Sequence, residues 1–359
     1  MPETASPLVS IITPAYNAAA FVSETIESAL AQTFHNFELV IVDDGSTDST
    51  LEIARTYSGR DARVRVFSGR NGGPSAARNA AMRQARGSFF ALLDSDDLWL
   101  PTFLTEQIKA FDRFPHADVM TCNAYNLGGP RDGRPLQAVQ PDFRIISLID
   151  MLAREDAVCI MSVFRRAVVD RIGAFDESLT GTCDYDFWIR AAHAGCVFVE
   201  NPAVLGQYRR RSDSLSADEI QMLDGIIRVL RHARELCVDR PPECAVIDRQ
   251  LARFDADRLL ASAKARLLRR EYTEAARDFE ALAGLRGDFF TELLARISRR
   301  IPGILLLVYR LKLASKCFST STNATKLVIS TLGRVSASLQ MRSKRRLSSR
   351  TPPPTSRNR

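Results

Sequence analysis

No apolar run in this chain approaches the roughly 18 residues that a membrane-spanning helix needs. The first residues, Met1 to Pro7, lack the basic and apolar regions of a signal peptide. The seven cysteines, at 122, 159, 183, 196, 237, 244 and 317, are scattered and form no Cys-x-x-Cys. That argues for reduced thiols in a cytosolic protein, against a disulfide framework or zinc site. Acidic residues are missing from 301–359, a stretch with 12 Lys and Arg. The first 300 residues hold all 42 acidic side chains and the remainder of the 49 basic ones, so a mildly acidic body underlies the net charge of +7. A basic tail of this kind binds an anionic surface or extends as a solvated arm. Nucleic-acid binding is not expected, because these residues lack a recognised fold and stacking aromatics.

What is present is a series of apolar strands, each stopped by a polar turn. Val9 to Thr13 reads as a first strand ended by Pro14, with Asn17 placed to cap a following helix. Phe37 to Val42 is a second, ending at Asp43-Asp44-Gly45-Ser46, and Thr47 or Asp48 starts a helix running to about Tyr57. Val64 to Phe67 is a third, followed by a Gly-rich turn and by Pro74, which suits a helix first turn. Phe89 to Leu93 is a fourth, stopping at Asp94-Ser95-Asp96-Asp97 ahead of a helix from about Leu98 to Phe111. Strands alternating with helices imply a parallel sheet, and its loops at the strand carboxyl ends form one ligand-binding edge. Asp94 and Asp96 repel each other unless a cation lies between them and a phosphate, and hard oxygen ligands suit Mg²⁺ or Mn²⁺. The same residues also fit an acidic loop that caps the next helix.

Further on, Ala117 to Asn126, Val158 to Phe164 and Val197 to Leu205 read as strands, and Leu127 to Phe143, rich in Gly, Pro and Arg, as a mobile loop. Arg166 to Ile172 and the segment from Cys183 to Arg190 read as helices. From Ser216 the pattern is helical throughout, over 217–236, 246–270, 273–285 and 288–299. Leu268 to Leu285 is like a single helical-hairpin repeat, too little for a solenoid. Ile301 to Tyr309 is apolar and too short to span a bilayer, and the Ser-rich, basic stretch beyond Ser338 reads as disordered. The expected division is an α/β catalytic domain over 1–212, an all-α appendage over 213–300, and an apolar segment with a basic tail over 301–359.

With the loops in place the chain resembles the family-two, inverting nucleotide-sugar glycosyltransferases of the GT-A fold. The resemblance rests on Val9 to Asn17, Val42 to Asp48, Gly72 to Asn79, Leu92 to Asp97, Gly173 to Glu177 and Asp184 to Arg190, and covers roughly residues 8–211. It implies a nucleoside-diphosphate sugar as donor and a glycan or glycolipid as acceptor, with a divalent cation as cofactor. Carried over motif by motif, Pro14, Ala15, Tyr16 and Asn17 hold the nucleoside with Arg78 nearby. Asp44 accepts from the base, Asp94 contacts the ribose, Asp96 ligates the metal and Asp184 is the general base. Work at the cytoplasmic face of a membrane, in polysaccharide or glycolipid synthesis, is the expectation that follows.

Read residue by residue, Asp44-Gly45 is also an ordinary turn, Tyr16 a core aromatic, Arg78 a helix salt-bridge partner and Asp184 a helix N-cap. Two positions depart from the family pattern. Cys183 stands where a Glu usually precedes the base, and Arg211 stands near a position where relatives often carry a His. Arg211 cannot bind a metal, although its guanidinium can pair with diphosphate oxygens. Competing readings are a sugar nucleotidyltransferase, disfavoured by the lack of a basic Gly-rich loop after the first strand, and a non-catalytic nucleotide-sugar-binding protein.

Overall fold

The computed structural model describes residues 6–211 and 213–317. Two compact units divide between Arg258 and Leu259. In the first, β1 (Val9–Ala15), α1 (Val22–Leu30), β2 (Phe37–Asp43), α2 (Thr50–Ser58), β3 (Val64–Ser68), α3 (Pro74–Gln84) and β4 (Phe89–Leu92) alternate as the hydrophobic pattern predicts. The four strands lie parallel in the order β3-β2-β1-β4. Every residue of β1, β2 and β4 is buried. Continuous apolar runs are what a parallel sheet covered on both faces requires. Register sets Ala15 beside Asp43, Asp43 beside Ser68, and Ile12 beside Leu92. The turns that follow these strands therefore share one edge of the sheet.

The sheet continues with β5 (Leu98–Trp99), α4 (Phe103–Arg113), β6 (Val119–Leu127), β7 (Arg144–Ile146), α5 (Leu148–Ala153), β8 (Val163–Arg165), α6 (Arg166–Ile172), α7 (Cys183–His193) and β9 (Phe198–Arg209). Its order beyond β4 is β8-β6-β9-β5, with β7 also on β9. β6 and β9 run parallel, whereas β8, β5 and β7 are antiparallel to their neighbours. Antiparallel β5 corrects the helix expected from Leu98. Trp99 is buried and stacked on Phe103 at 4.0 Å, and the helix starts only after Pro101. The strand expected over 158–164 shrinks to Val163–Arg165, and the helix expected from Thr47 or Asp48 begins at Thr50. Asp48 accepts the Thr50 amide at 3.0 Å and so turns the chain into that helix. The 127–143 segment folds back on β6, where Asn123 and Asn126 donate to the carbonyls of Gln137 and Arg134.

Two long helices, α8 (Glu219–Leu236) and α9 (Pro241–Leu268), follow. α8 packs on α7, with His232 3.3 Å from Asp186 and Arg228 donating to the Ser178 carbonyl. Gln250 of α9 donates to the carbonyl of Ala153. In the second unit the chain turns at Arg270 (φ 64°) into α10 (Tyr272–Arg286), then α11 (Phe289–Arg300) and α12 (Pro302–Cys317). Asp278 ties α10 back to Ser262 and Arg266, closing a helical hairpin. Most of the basic tail, including Arg342 to Arg346 and the stretch read as disordered, lies outside the described residues.

One buried carboxylate organises the start of the sheet. Glu38 of β2 accepts from the Ser10 hydroxyl at 2.7 Å and the Arg86 amide at 2.6 Å, and pairs with the guanidinium groups of Arg65 and Arg86. Burial opposes its charge, but these four donors hold its carboxyl below the ordinary range. Glu38→Leu leaves both arginines without their buried partner and is expected to lower unfolding free energy by about 3–5 kcal/mol. Urea denaturation followed by circular dichroism checks this, and a midpoint shift corresponding to under ~1 kcal/mol would contradict it.

Candidate functional site

At the carboxyl end of β2 the chain turns sharply through Asp43 to Ser46. Gly45 adopts φ 73°, and a Cβ there would approach the Asn71 amide nitrogen to 3.0 Å, so the turn needs glycine. Asp44 is buried, and its two carboxylate oxygens accept from the amides of Gly72 and Gly73, each at 2.8 Å. The turn reading of Asp44-Gly45 is thus correct, and Asp44 also latches the loop that precedes α3. Its own amide donates to the Ala15 carbonyl at 2.8 Å, joining the β1 and β2 turns.

Asn17 does not cap α1. It sits in the left-handed region (φ 46°), and its Oδ1 accepts from the amide of Thr47 at 2.8 Å and from the Thr47 hydroxyl at 3.2 Å. α1 starts later, after Phe21, because the side chain of Asn17 is already committed to the neighbouring turn. Pro14 and Ala15 form the buried end of β1, whereas Tyr16 is 49% exposed. That exposure removes the core-aromatic reading of Tyr16 and leaves its ring on the open edge.

Asp94, Asp96 and Asp97 share a tight turn, closed by the Asp97 amide donating to the Asp94 carbonyl at 3.1 Å. Each carboxylate has a partner from a different element. Asp94 pairs with Arg78 of α3 at 2.5 Å. Asp96 pairs with Arg211, just beyond β9, at 3.1 Å. Asp97 is buried and accepts the Arg209 amide at 2.8 Å, while its other oxygen has no partner among the described residues. Burial, then the neighbouring aspartates, pushes Asp97 well above the ordinary carboxylate range. Arg209 completes the turn by donating to the Asp96 carbonyl at 2.7 Å and pairing with Glu24 of α1.

Arg78 joins this acidic turn to α7. It is 6% exposed, and while Nη2 holds Asp94, Nη1 donates to the Cys183 sulfur at 3.1 Å. The salt-bridge reading of Arg78 thus holds, with the pair drawn into the interior on the Arg78 side. Two more side chains of α3 hold the segment leading into α7: Asn79 exchanges hydrogen bonds with the Phe175 backbone, and Ser75 donates to the Leu179 carbonyl. Asp184 lies in the first turn of α7, where the helix dipole favours a negative charge. Thr182, not Asp184, is the N-cap. Burial raises the Asp184 carboxyl above its usual range, Arg78 works against this, and Asp94 adds to it. Asp184 also lines a small cavity with Met151, Arg154, Glu155, Tyr185 and Trp188. Cys183 is buried, and burial pushes its thiol up while Arg78 works against this, which disfavours a nucleophilic role.

The Arg78 guanidinium thus ties Asp94 to Cys183, the residue before Asp184. Asp96 lies in the same acidic turn, and Tyr16, Asn17 and Asp44 lie in the turns along the same sheet edge. Asp97 and Arg209 were assigned no role from sequence. The third carboxylate in four residues was the available signal, since one member of such a cluster must be neutralised by the fold. Among the described residues no group of three or more His, Cys, Asp or Glu could hold a metal by itself. A second oxygen on Asp94 and on Asp96 lies outside their arginine contacts, a hard-oxygen pair that suits Mg²⁺ or Mn²⁺ when phosphate oxygens complete the shell.

The family profile Glycosyl transferase family 2 matches residues 10–173. The putative teichuronic acid biosynthesis glycosyltransferase TuaG of Bacillus subtilis is 30% identical over 214 residues, covering 59% of this chain and 83% of TuaG. The chain spans from 29% to 64% of the length of the first curated relatives it matches. Among solved structures, S. aureus TarS (residues 1–349) in complex with UDP-GlcNAc superposes with a TM-score of 0.58 at 22% identity, over 81% of this chain and 87% of that one. The mannosyltransferase PcManGT of Pyrobaculum calidifontis, in complex with GDP-Man and Mn²⁺, gives 0.56 at 20% identity, over 82% and 80%. The fold is therefore GT-A.

The raised carboxyl of Asp184 has a consequence for stability. Folding favours its protonated form, so this contribution is complete below the unfolded pKa of about 3.9 and is lost as pH rises through the folded value. Asp184→Asn removes a partly buried charge and is expected to raise the melting temperature at pH 7, the gain vanishing towards pH 3.5. Melting curves at both pH values test it, and a variant less stable at pH 7 would contradict it.

Proposed function

Because the chain belongs to glycosyl transferase family 2, we propose that this glycosyltransferase moves a sugar from a nucleoside diphosphate to an acceptor hydroxyl with inversion at the anomeric carbon. The observation that carries this reading is buried Arg78, which fixes the acidic turn and the start of α7 to one guanidinium. In this reading Arg78 ties the turn that carries Asp94 and Asp96, the donor-side carboxylates, to the first turn of α7, which carries Asp184 as base. A single displacement needs such a base on one side of the anomeric carbon and the departing diphosphate on the other.

In this mechanism the Asp184 carboxylate takes the proton of the acceptor hydroxyl as that oxygen bonds to the anomeric carbon. The bond from that carbon to the diphosphate oxygen breaks, and its electron pair leaves with the diphosphate. Tyr16 offers an exposed ring for base stacking, Asp44 the remaining acceptor capacity of its carboxylate, and Asp94 a hydrogen-bond acceptor for ribose. Asp96, with Asp94, would hold a divalent cation, which when bound neutralises charge on the leaving diphosphate. The two structural neighbours are complexes with UDP-GlcNAc and with GDP-Man, the latter also with Mn²⁺, in line with a donor of this class and a divalent cation. The likeness to TuaG supports polysaccharide synthesis, with a glycan or glycolipid as acceptor. Cys183 in place of a second carboxylate removes a charge from the base's side of the site, which favours an acceptor recognised by neutral contacts.

Among the described residues no helix is long and apolar enough to cross a membrane. The excess of 12 basic over no acidic residues in 301–359 supports peripheral attachment to an anionic bilayer, at about 1 kcal/mol per basic residue near the surface. Co-sedimentation with phosphatidylserine vesicles should depend on residues 301–359 and weaken with salt, and pelleting that survives their removal would refute the attachment. For the chemistry, Asp184→Asn is expected to lower kcat by about 10²–10⁴-fold while leaving nucleoside diphosphate affinity near wild type. In the wild type the acid limb of kcat against pH should lie above about 4, because burial raises the Asp184 carboxyl. Equal losses in affinity and turnover would make Asp184 a donor-binding residue instead.

A further inference from the structure

Three arginines meet the acidic turn, and their fixings differ. Arg78 is buried and bonded to both Asp94 and Cys183. Arg209 is tied by its amide to Asp97, by Nε to the Asp96 carbonyl and by Nη2 to Glu24. Arg211 reaches the turn through one nitrogen only, Nη1 to Asp96 Oδ2 at 3.1 Å. Its other nitrogens, Nε and Nη2, fork onto Asp213, whose side chain is 72% exposed, and its guanidinium lies 4.6 Å from the Phe21 ring centroid. The fork and the ring hold the cation over the turn, while its grip on Asp96 is a single bond. Of the three contacts, this is the one a ligand can displace without unpacking the fold.

The partner of that bond is the carboxylate that, in the proposed function, would hold the divalent cation. A guanidinium and a metal ion compete for its charge. When the diphosphate of a donor arrives, its oxygens offer Arg211 a second anionic partner of matching fork geometry. We propose that Arg211 is a displaceable counter-cation: it occupies Asp96 in the donor-free enzyme and moves onto the diphosphate, so that the cation binds with the donor and not before it. This rests on the reading of the donor as a nucleoside diphosphate sugar. It assigns Arg211 a positioning role, and it explains why the described residues hold no self-sufficient metal cluster: the missing ligands come with the donor.

The test is Mn²⁺ titration of the full chain by calorimetry, without nucleotide and with UDP or GDP, in wild type, Arg211→Gln and Arg211→Lys. Unchanged far-ultraviolet circular dichroism and melting temperature confirm folding. Arg211→Gln is expected to tighten Mn²⁺ binding in the absence of nucleotide by at least about fivefold, the low end of ordinary coupling between ligands. It should weaken binding of the nucleoside diphosphate by a similar factor. Arg211→Lys, which keeps the charge but loses the fork, should fall between the two on both measures. Mn²⁺ affinity of the nucleotide-free protein that is equal in wild type and Arg211→Gln would overturn the proposal, as would undiminished nucleotide affinity in the variant. If Mn²⁺ binding tightens but neither nucleotide binds the wild type, the donor reading fails and the transfer of Arg211 falls with it, leaving only the competition at Asp96.

Discussion

Three carboxylates within four residues, at the end of a strand buried on both faces, repel one another where one of them, Asp97, is buried and the other two are only partly exposed. The turn exists because each has its own partner. Arg78 reaches Asp94 from α3, Arg211 reaches Asp96 from beyond β9, and the Arg209 amide reaches Asp97. These partners are 16, 115 and 112 residues away in sequence. The acidic turn is thus a product of the whole sheet, and the strands on either side of it are held in place partly by the need to neutralise it.

The three partnerships also divide the work. Asp97 is spent on structure: it is buried, driven towards its neutral form, and joined to the backbone of β9. Asp94 is locked to a buried guanidinium that in turn fixes the start of α7. Asp96 keeps the most exchangeable partner of the three, and its position at the open edge makes it the natural contact for an incoming charge. A similar division holds in α7, where Asp186 is buried against Arg190 at 2.7 Å and His232 at 3.3 Å, while Asp184 faces a cavity. Two aspartates two residues apart therefore have unlike surroundings: Asp186 is held by Arg190 and His232, and Asp184 lines the cavity.

Much of the fold was legible from the chain because a doubly covered parallel sheet leaves a plain signature. The apolar runs Val9–Thr13, Phe37–Val42 and Phe89–Leu92 can be buried on both faces only as central strands. The polar turns after them then have to share an edge, which is why the sequence pattern groups Tyr16, Asp44, Asp94 and Asp96. The misread elements are those whose state depends on contacts distant in sequence. Leu98–Trp99 carries the apolar pattern of a helix start, but pairing with β9 and stacking on Phe103 make it a strand. Asn17 has the chemistry of a helix cap, and the Thr47 amide 30 residues away claims it first.

The sequence by itself determined the alternation of strand and helix, the edge on which the polar turns lie, and which residue types are on that edge, because burial period and turn chemistry are local properties. Only the tertiary structure decided who neutralises whom. Nothing near Asp94 in the chain announces Arg78 as the link to Cys183, and nothing near Asp96 announces Arg211. Charge pairing acts through space at a few ångströms, and the sheet order that brings β4, α3, α7 and the end of β9 together is set by packing across the whole domain.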